Sequence, residues 1–145
     1  MQAITDYTRH NYRDINRNLL DGIVTEQAAE LIEVVNSLPT LPGMTHRTFW
    51  VNDIAEYADR LKSSKTITFA AFSSTSRMQA VAKQFNGNVK LIIQGKTGRD
   101  IAAMSDNPAE QETLYLPGLT CSIAKVKIVK IGGKVWSVEA ELVER

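Results

Sequence analysis

The chain has 145 residues, of which 43% are hydrophobic and 23% are charged. This length fits one domain, residues 1–145, and the composition excludes disorder along the whole chain. The net charge of +1 gives no general attraction to nucleic acid or to an anionic membrane, and no apolar run of 18 residues predicts a membrane span.

The N-terminal third is predicted to be helical. Apolar residues at helical spacing predict two helices, marked by Tyr12, Ile15 and Leu19 in the first and by Ala28, Leu31, Ile32 and Val35 in the second. The first helix is predicted to end near Asp21-Gly22, and Thr25 is the predicted N-cap of the second. Residues 38–43 contain two prolines and a glycine, so they are predicted to form a loop.

The remaining residues are predicted to form mainly β-structure. Strands are predicted at residues 44–51, 66–72, 89–93 and 112–116. Two short helices are predicted between them, one behind the cap Asp53 and one with an apolar face formed by Met78, Val81, Ala82 and Phe85, of which Phe85 is expected in the core. Gly95 and Gly98 interrupt the strand pattern, and residues 105–109 are predicted to form a polar loop.

The C-terminal residues predict a β-hairpin. Residues 121–131 and 134–143 alternate between apolar and polar side chains on either side of Gly132-Gly133. Cys121, the single cysteine, lies in this apolar alternation and is predicted to be buried rather than nucleophilic. The fold class is therefore predicted to be α+β, with helices first and then a mostly antiparallel β body.

Three polar segments are candidates for chemistry. Arg47 lies in an otherwise largely apolar strand, so its guanidinium needs a partner, which could be a pyrophosphate, a carboxylate or a structural ion pair. The hydroxyl side chains of residues 73–76 follow a strand and precede a helical pattern; they could orient a carboxylate or cap that helix.

Glu110 and Glu112 form the third candidate. Two residues apart on a strand, they would project from the same face, roughly 6.6–7 Å apart. Such a pair can divide the work between two reactants, and mutual repulsion can raise one of the two pKa values toward neutrality. Two solvated charges at a strand edge are the alternative interpretation.

In this order, Arg47, Ser74-Thr75-Ser76 and Glu110-Gln111-Glu112 resemble the motifs of the arginine-specific mono-ADP-ribosyltransferases. This family branch includes bacterial toxins, phage enzymes and vertebrate ectoenzymes. Further segments are similar to the family's opening helix, its glycine segment and the residues after its catalytic glutamate, namely residues 12–16 with Leu19, 95–101 and 114–118. The resemblance covers about residues 7 to 120 and implies helices packed on a two-sheet β core.

The resemblance also implies a role for each site residue. Arg47 would clamp the phosphates of NAD, the ADP-ribose donor, while Ser74 would orient the catalytic carboxylate of Glu112. Glu112 would hold the nicotinamide-ribose hydroxyl and stabilise positive charge in the transition state. Glu110 would position and help deprotonate an acceptor arginine. Thr48, Thr75 and Ser76 would complete the NAD site, and no metal is expected.

Two positions depart from the family pattern. His46 and Thr48 flank Arg47 where many relatives have an aromatic residue and a glycine. Thr48 leaves the close backbone approach to nicotinamide in question. His46 is predicted to be structural, because strand alternation places it opposite Arg47. The family pattern also predicts that residues 103–109 face the target protein and that residues 77–85 border the nicotinamide and phosphate pocket.

The expected partner is a protein bearing an acceptor arginine, without a membrane or nucleic acid. NAD glycohydrolysis in the same pocket and an inactive binding module of the same fold are the alternatives. The lack of paired cysteines argues against the secreted vertebrate branch and favours a bacterial effector, an antibacterial toxin with an immunity protein, or a phage enzyme. Its site of action is expected to be a cytoplasm, of the producing, host or target cell, reached where necessary by export machinery outside these residues.

Overall fold

The chain begins with consecutive helical segments. In a computed structural model describing residues 1–145, α1 (Gln2–Asp6) runs through a π-helix (Tyr7–Asn11) into α2 (Tyr12–Leu20), and α3 (Glu26–Asn36) follows. Thr25 caps α3 as predicted, because its side-chain oxygen accepts a hydrogen bond from the Ala28 amide at 3.2 Å. Both predicted helices are confirmed, and the segment before Tyr12 is helical as well.

The helices enclose one of two apolar cores. Its helical members are Ile4, Tyr7, Ile15, Leu19, Ala28, Leu31 and Val35. They pack against three buried residues of the β body, Phe72, Ile101 and Leu114. Burial of this apolar surface fixes the N-terminal helices against the part of the sheet that carries the serine and glutamate segments.

The β body is a mostly antiparallel sheet. Its strands are β1 (Gly43–Phe49), β2 (Thr66–Phe69), β3 (Ser73–Ser76), β4 (Val89–Gly95), β5 (Arg99–Asp100), β6 (Glu112–Tyr115), β7 (Leu119–Ile131) and β8 (Lys134–Glu144). Their order is β2-β7-β8-β4-β1-β3-β6-β5, and only β4 and β8 run parallel. The predicted α+β class is confirmed.

Eight strands form one hydrogen-bonded sheet where two sheets were expected. However, β1 and β3 are joined by a single residue pair, His46 with Ser76. A five-stranded part and a three-stranded part therefore meet at one narrow junction. The second apolar core lies on the larger part and includes Ala58 and Leu61 of α4 (Ile54–Ser63).

Several sequence predictions are refined. The strand predicted to reach residue 72 ends at Phe69, and residues 73–76 form β3. The helix predicted from Met78 to Phe85 is reduced to α5 (Gln79–Ala82). Phe85 is 48% exposed, so its assignment to the core was wrong. The terminal hairpin is confirmed, with positive φ angles of 59° and 80° at Gly132 and Gly133.

Cys121 is buried, as predicted, and burial raises the pKa of its thiol to about 11. The thiol therefore stays protonated at neutral pH, which agrees with a packing role rather than a nucleophilic one. None of the helices combines the length and the apolar character that a membrane crossing requires.

The glycine segment packs against the ring of Tyr115. A β-carbon at Gly95 would overlap the Tyr115 hydroxyl group, and one at Gly98 would overlap the methyl group of Thr113. The Glu144 carboxylate accepts hydrogen bonds from the amides of Lys96 at 2.6 Å and Thr97 at 2.9 Å. The two glycines are thus required by close packing.

We expect Gly95→Ala to lower the free energy of unfolding by about 1–3 kcal/mol, because the added methyl group must displace Tyr115. Tyr115→Phe should relieve part of this cost, because it removes the hydroxyl oxygen, the nearest overlapped atom, which has no hydrogen-bond partner, while ring carbon Cζ at 2.8 Å remains. Urea unfolding of both single variants and the double variant would measure the coupling. Strictly additive costs would contradict the overlap.

Candidate active site

The strand pairing brings the candidate site residues together around one pocket. His46 of β1 lies opposite Ser76 of β3, and Ser76 lies opposite Glu112 of β6. The pocket has a volume of about 220 Å³ and is lined by His46, Arg47, Thr48, Phe49, Ser74, Thr75, Ser76, Ala82, Phe85, Glu110 and Glu112. All seven residues proposed from the sequence therefore line the same cavity.

Glu112 is the buried acid of this pocket. It is only 9% exposed, at the first position of β6. Burial raises the pKa of Glu112 to about 7; hydrogen bonding with Ser74 opposes this rise, and the nearby charge of Glu110 adds to it. The carboxyl group is therefore poised between its two protonation states near neutral pH.

Glu110 and Glu112 were predicted to project from one strand face, but only Glu112 lies in a strand. Glu110 ends a 3₁₀ turn (Pro108–Glu110), and Gln111 has the left-handed conformation φ 48°, ψ 53°. This is the only non-glycine residue with positive φ, and a side chain there adds steric strain. The turn, rather than strand alternation, sets the separation of the two carboxylates.

Within the hydroxyl segment, residues 73–76, Thr75 and Ser76 bind neighbouring backbone groups, whereas Ser74 belongs to a different polar group. Thr75 Oγ1 donates to the Thr113 carbonyl oxygen at 2.7 Å, and Ser76 Oγ donates to the Glu110 carbonyl oxygen at 2.6 Å. These bonds hold β3 to β6 and to the Glu110 turn, so the helix-cap interpretation of the segment was wrong for Thr75. Ser76 does accept a bond from the Met78 amide at 3.0 Å, beside α5.

Ser74 belongs to a second polar group that the sequence interpretation missed. Tyr7 interacts with Ser74 through its side chain, and its hydroxyl accepts a hydrogen bond from Asn16 Nδ2 at 2.9 Å. Asn16 Oδ1 in turn accepts the Phe72 amide at 3.1 Å. Burial raises the pKa of Tyr7, and its hydrogen bonds with Asn16 and Ser74 oppose that rise. Tyr7 lies before the periodic apolar pattern of α2, which is why no sequence signal identified it.

Arg47 has no carboxylate partner. Its guanidinium carbon lies 4.6 Å from the ring centroid of Phe49 and 5.8 Å from that of Phe69. It forms none of the ion pairs of the protein, and burial lowers its pKa. The structural ion pair considered from the sequence is therefore absent, and the guanidinium hydrogens remain available to an anion.

Arg47 also borders a second, larger cavity. This cavity has a volume of about 550 Å³ and is lined by residues of α2, α4 and β2, among them Asn16, Tyr57 and Thr68. Arg47 is the one residue that lines both cavities. A ligand with groups in both would pass its central part beside this cation.

His46 and Thr48 both line the smaller pocket. Strand alternation therefore does not by itself exclude His46 from the pocket wall, and its structural role stays a prediction. Burial and the positive charge of Lys83 lower the pKa of His46. Its imidazole is consequently neutral at pH 7.

Residues 101–111 form the loop that ends at the Glu110 turn. The N-terminal helical segments hold its middle: Thr5 Oγ1 donates to the Met104 carbonyl oxygen at 2.8 Å, and Thr8 Oγ1 accepts the Asp106 amide at 2.9 Å. An ion pair of 3.1 Å joins Arg9 to Asp106. The loop predicted to face a partner is thus anchored from α1 and the π-helix.

The acidic and histidine side chains of the pocket do not form a larger cluster. Nowhere do three or more His, Cys, Asp or Glu side chains come together as potential ligands. The site instead combines one cation, one buried carboxyl group and a second carboxylate.

Residues 36–144 match the model of the ADP-ribosyltransferase exoenzyme family, and the chain belongs to this family. It is 33% identical over 124 residues to Mav of Mycobacterium avium (strain 104), assigned as an NAD(+)–arginine ADP-ribosyltransferase. It is 53% identical over 49 residues to the NAD(+)–protein-arginine ADP-ribosyltransferase Tre1 of Pseudomonas putida (strain GB-1). These matches span 81% and 34% of this chain, but 15% of Mav and 9% of Tre1.

Solved structures show the same fold. The ADP-ribosyltransferase Vis of Vibrio splendidus in complex with agmatine superposes with a TM-score of 0.77 at 21% identity, covering 99% of this chain and 73% of Vis. Exoenzyme S of Pseudomonas aeruginosa, in complex with human 14-3-3 protein beta and bound to carba-NAD, gives a TM-score of 0.74 at 19% identity. That match covers 98% of this chain and 71% of exoenzyme S. The predicted ADP-ribosyltransferase-like fold is confirmed.

The raised pKa of Glu112 predicts a pH-dependent effect on stability. Between its ordinary value of 4.5 and about 7, the folded protein binds this proton while the unfolded chain loses it, so stability contributed by the group falls as pH rises through this window. We expect Glu112→Gln to be more stable than the wild type at pH 8, by about 1–3 kcal/mol, and to have little advantage at pH 4. Thermal unfolding at both pH values would measure this; an equal difference at pH 4 and pH 8 would contradict the shift.

Proposed function

We propose that the chain is the catalytic domain of an enzyme that transfers ADP-ribose from NAD to an arginine of a target protein and releases nicotinamide. The observation that carries the proposal is the pocket in which the buried acid Glu112, next to Ser74, shares a wall with the unpartnered cation Arg47. Mav and Tre1 are named for transfer to arginine, and agmatine, the ligand of Vis, carries the same guanidinium group as arginine.

NAD would lie across both cavities. Its two phosphates are anionic, and the free guanidinium of Arg47 at the shared boundary offers them charge-assisted hydrogen bonds. The nicotinamide and its ribose would occupy the smaller pocket with Ser74 and Glu112, with Thr48, Thr75 and Ser76 in its wall, and the adenosine would occupy the larger cavity. The complex of exoenzyme S with carba-NAD shows that an NAD analogue binds a protein of this fold.

The proposed reaction divides the work between the two glutamates. The bond between the ribose C1′ and the nicotinamide nitrogen breaks, and its electron pair neutralises the pyridinium ring as nicotinamide leaves. Glu112 would hold a ribose hydroxyl, and its carboxylate would stabilise the oxocarbenium charge that develops on the sugar. A guanidinium nitrogen of the acceptor then bonds to C1′ while Glu110 accepts its proton.

The proposed biological role is that of a bacterial effector or toxin. The Vis protein, described as a toxin, shares this fold, and the proposed reaction consumes NAD, a cytoplasmic metabolite. We therefore propose that the enzyme acts on a protein in the cytoplasm of a host or target cell, with an immunity protein in the producer if the targets are other bacteria. A phage enzyme acting inside its bacterial host would use the same chemistry.

Substitution of each glutamate in turn should separate ADP-ribose transfer from NAD hydrolysis. We expect Glu112→Ala to abolish both ADP-ribose transfer and nicotinamide release, because both reactions pass through the oxocarbenium-like sugar. Glu110→Gln should lose transfer to arginine by about 10²-fold or more while retaining NAD hydrolysis, because only transfer needs a base for the guanidinium. Nicotinamide release and labelling of agmatine would be measured in parallel. Equal losses in both assays for both variants would refute the division.

Removal of the unpartnered cation should chiefly weaken NAD binding. We expect Arg47→Ala to raise the Kd for NAD by about 10-fold or more, since a charge-assisted contact to phosphate contributes about 1.5–3 kcal/mol. Isothermal titration with NAD and with nicotinamide alone would test the assignment. Nicotinamide, which has no phosphates, is the matched control and should bind both proteins equally. An unchanged affinity for NAD would overturn the proposed phosphate contact.

A further inference from the structure

Arg77 joins the two ends of the 101–111 loop. At the start of the loop, its Nη2 donates to Asp100 Oδ1 at 3.0 Å, and the same oxygen accepts the Ala102 amide at 3.0 Å. At the end of the loop, its Nη1 donates to Thr113 Oγ1 at 2.7 Å and to the Glu112 carbonyl oxygen at 3.2 Å. One planar guanidinium therefore fixes the distance between β5 and β6 where the loop leaves the sheet.

The same side chain supports the strained turn between the two glutamates. Arg77 Nη2 donates to Gln111 Oε1 at 3.2 Å, and the Arg77 amide donates to the Gln111 carbonyl oxygen at 3.1 Å. Gln111 is the residue in the left-handed conformation. Such a conformation persists where surrounding contacts hold it in place, and Arg77 supplies two of them.

Arg77 does not line either cavity, although the sequence placed it at the border of the nicotinamide pocket. Its donors are directed to the protein rather than to a ligand. Three of its four side-chain hydrogen bonds go to residues that flank the loop, and the fourth goes to Gln111, the last residue of the loop. A direct role in NAD binding is therefore not supported by its position.

The two glutamates depend on Arg77 to different degrees. Glu112 is held by the pairing of β6 with Ser76 of β3, and its carbonyl oxygen also accepts the Ile101 amide at 3.2 Å. Glu110 lies outside the sheet, and its backbone is tied by the Ser76 hydroxyl and by the 3₁₀ bond of its amide to Asn107. Loss of the Arg77 side-chain contacts, which leaves the bond from the Arg77 amide to Gln111 in place, would therefore loosen Gln111 and Glu110 more than Glu112.

We propose that Arg77 is a positioning residue for the acceptor step. By joining the two ends of the 101–111 loop, it fixes the left-handed conformation of Gln111 and thereby the position at which Glu110 meets the acceptor guanidinium. This inference rests on the proposed function. Arg77, which lies outside the pocket, would then affect the ratio of ADP-ribose transfer to NAD hydrolysis and not the affinity for NAD.

The test compares Arg77→Met with Arg77→Lys and with Arg145→Met. Methionine retains the apolar stem of Arg77 without donors, and lysine keeps the charge without the planar fork. Arg145 forms none of the ion pairs and controls for the loss of one positive charge. A fourth variant, Val126→Ala in the packing of the other core, controls for lowered stability alone.

We expect Arg77→Met to lower kcat/KM for agmatine by about 10-fold or more, because small displacements of a reacting group are costly. Nicotinamide release without acceptor and the KM for NAD should change by less than about threefold, since Glu112 and Arg47 remain in place. Arg77→Lys should recover part of the transfer. Arg145→Met and Val126→Ala should leave the ratio of transfer to hydrolysis at the wild-type value.

Hydrogen exchange separates this proposal from the proposed function. Arg77→Met should increase amide exchange at Ala102, Glu110 and Gln111 and leave the β7–β8 hairpin unchanged. Unchanged loop exchange, or equal losses of transfer and hydrolysis, would overturn the positioning role. If the wild-type protein neither modifies agmatine nor releases nicotinamide, the proposed function fails and the acceptor role fails with it, while increased loop exchange would still establish the structural contact.

Discussion

The site depends on a single backbone junction. β1 and β3 meet only at His46 and Ser76, and the next pair across the sheet joins Ser76 to Glu112. Beyond this junction the two parts of the sheet are free to separate, which leaves space for the 220 Å³ pocket. Backbone pairing along the whole length of β1 and β3 would instead bring the two strands to about 4.8 Å and close that space. The narrow connection thus makes the cavity and places a cation and an acid on its walls.

Burial has different consequences for the protonation of the two ionisable groups, Arg47 and Glu112. Arg47 stays cationic despite a lowered pKa, because an arginine titrates far above neutral pH. Glu112 has a pKa raised to about 7 and so lies between its charged and neutral forms. Hydrogen bonding with Ser74 limits that rise, and Tyr7 and Asn16 hold this polar group from the N-terminal helices. The helices therefore contribute to the chemistry of a carboxyl group on the sheet.

Most of the fold was accessible from the sequence, because apolar periodicity and turn residues identified the main helices, β1, β4 and the terminal hairpin. The site residues were accessible only as an ordered set, since each motif alone had an ordinary structural interpretation. The geometry between Glu110 and Glu112 was not accessible. A glutamine in left-handed conformation has no local sequence signal, and its support comes from Arg77, 34 residues away in the chain. Tyr7 was missed for a similar reason, because its partners are distant in sequence.

The raised pKa of Glu112 has a consequence for proton balance. Near neutral pH this carboxyl group is present in both its protonated and its ionised form in the protein without ligand. If NAD binds as proposed, its cationic nicotinamide ring would favour the ionised carboxylate of Glu112. Binding of the dinucleotide would then expel a proton, and its affinity would rise with pH across the neutral range. Binding of NAD and ionisation of Glu112 would thus be one thermodynamically linked event.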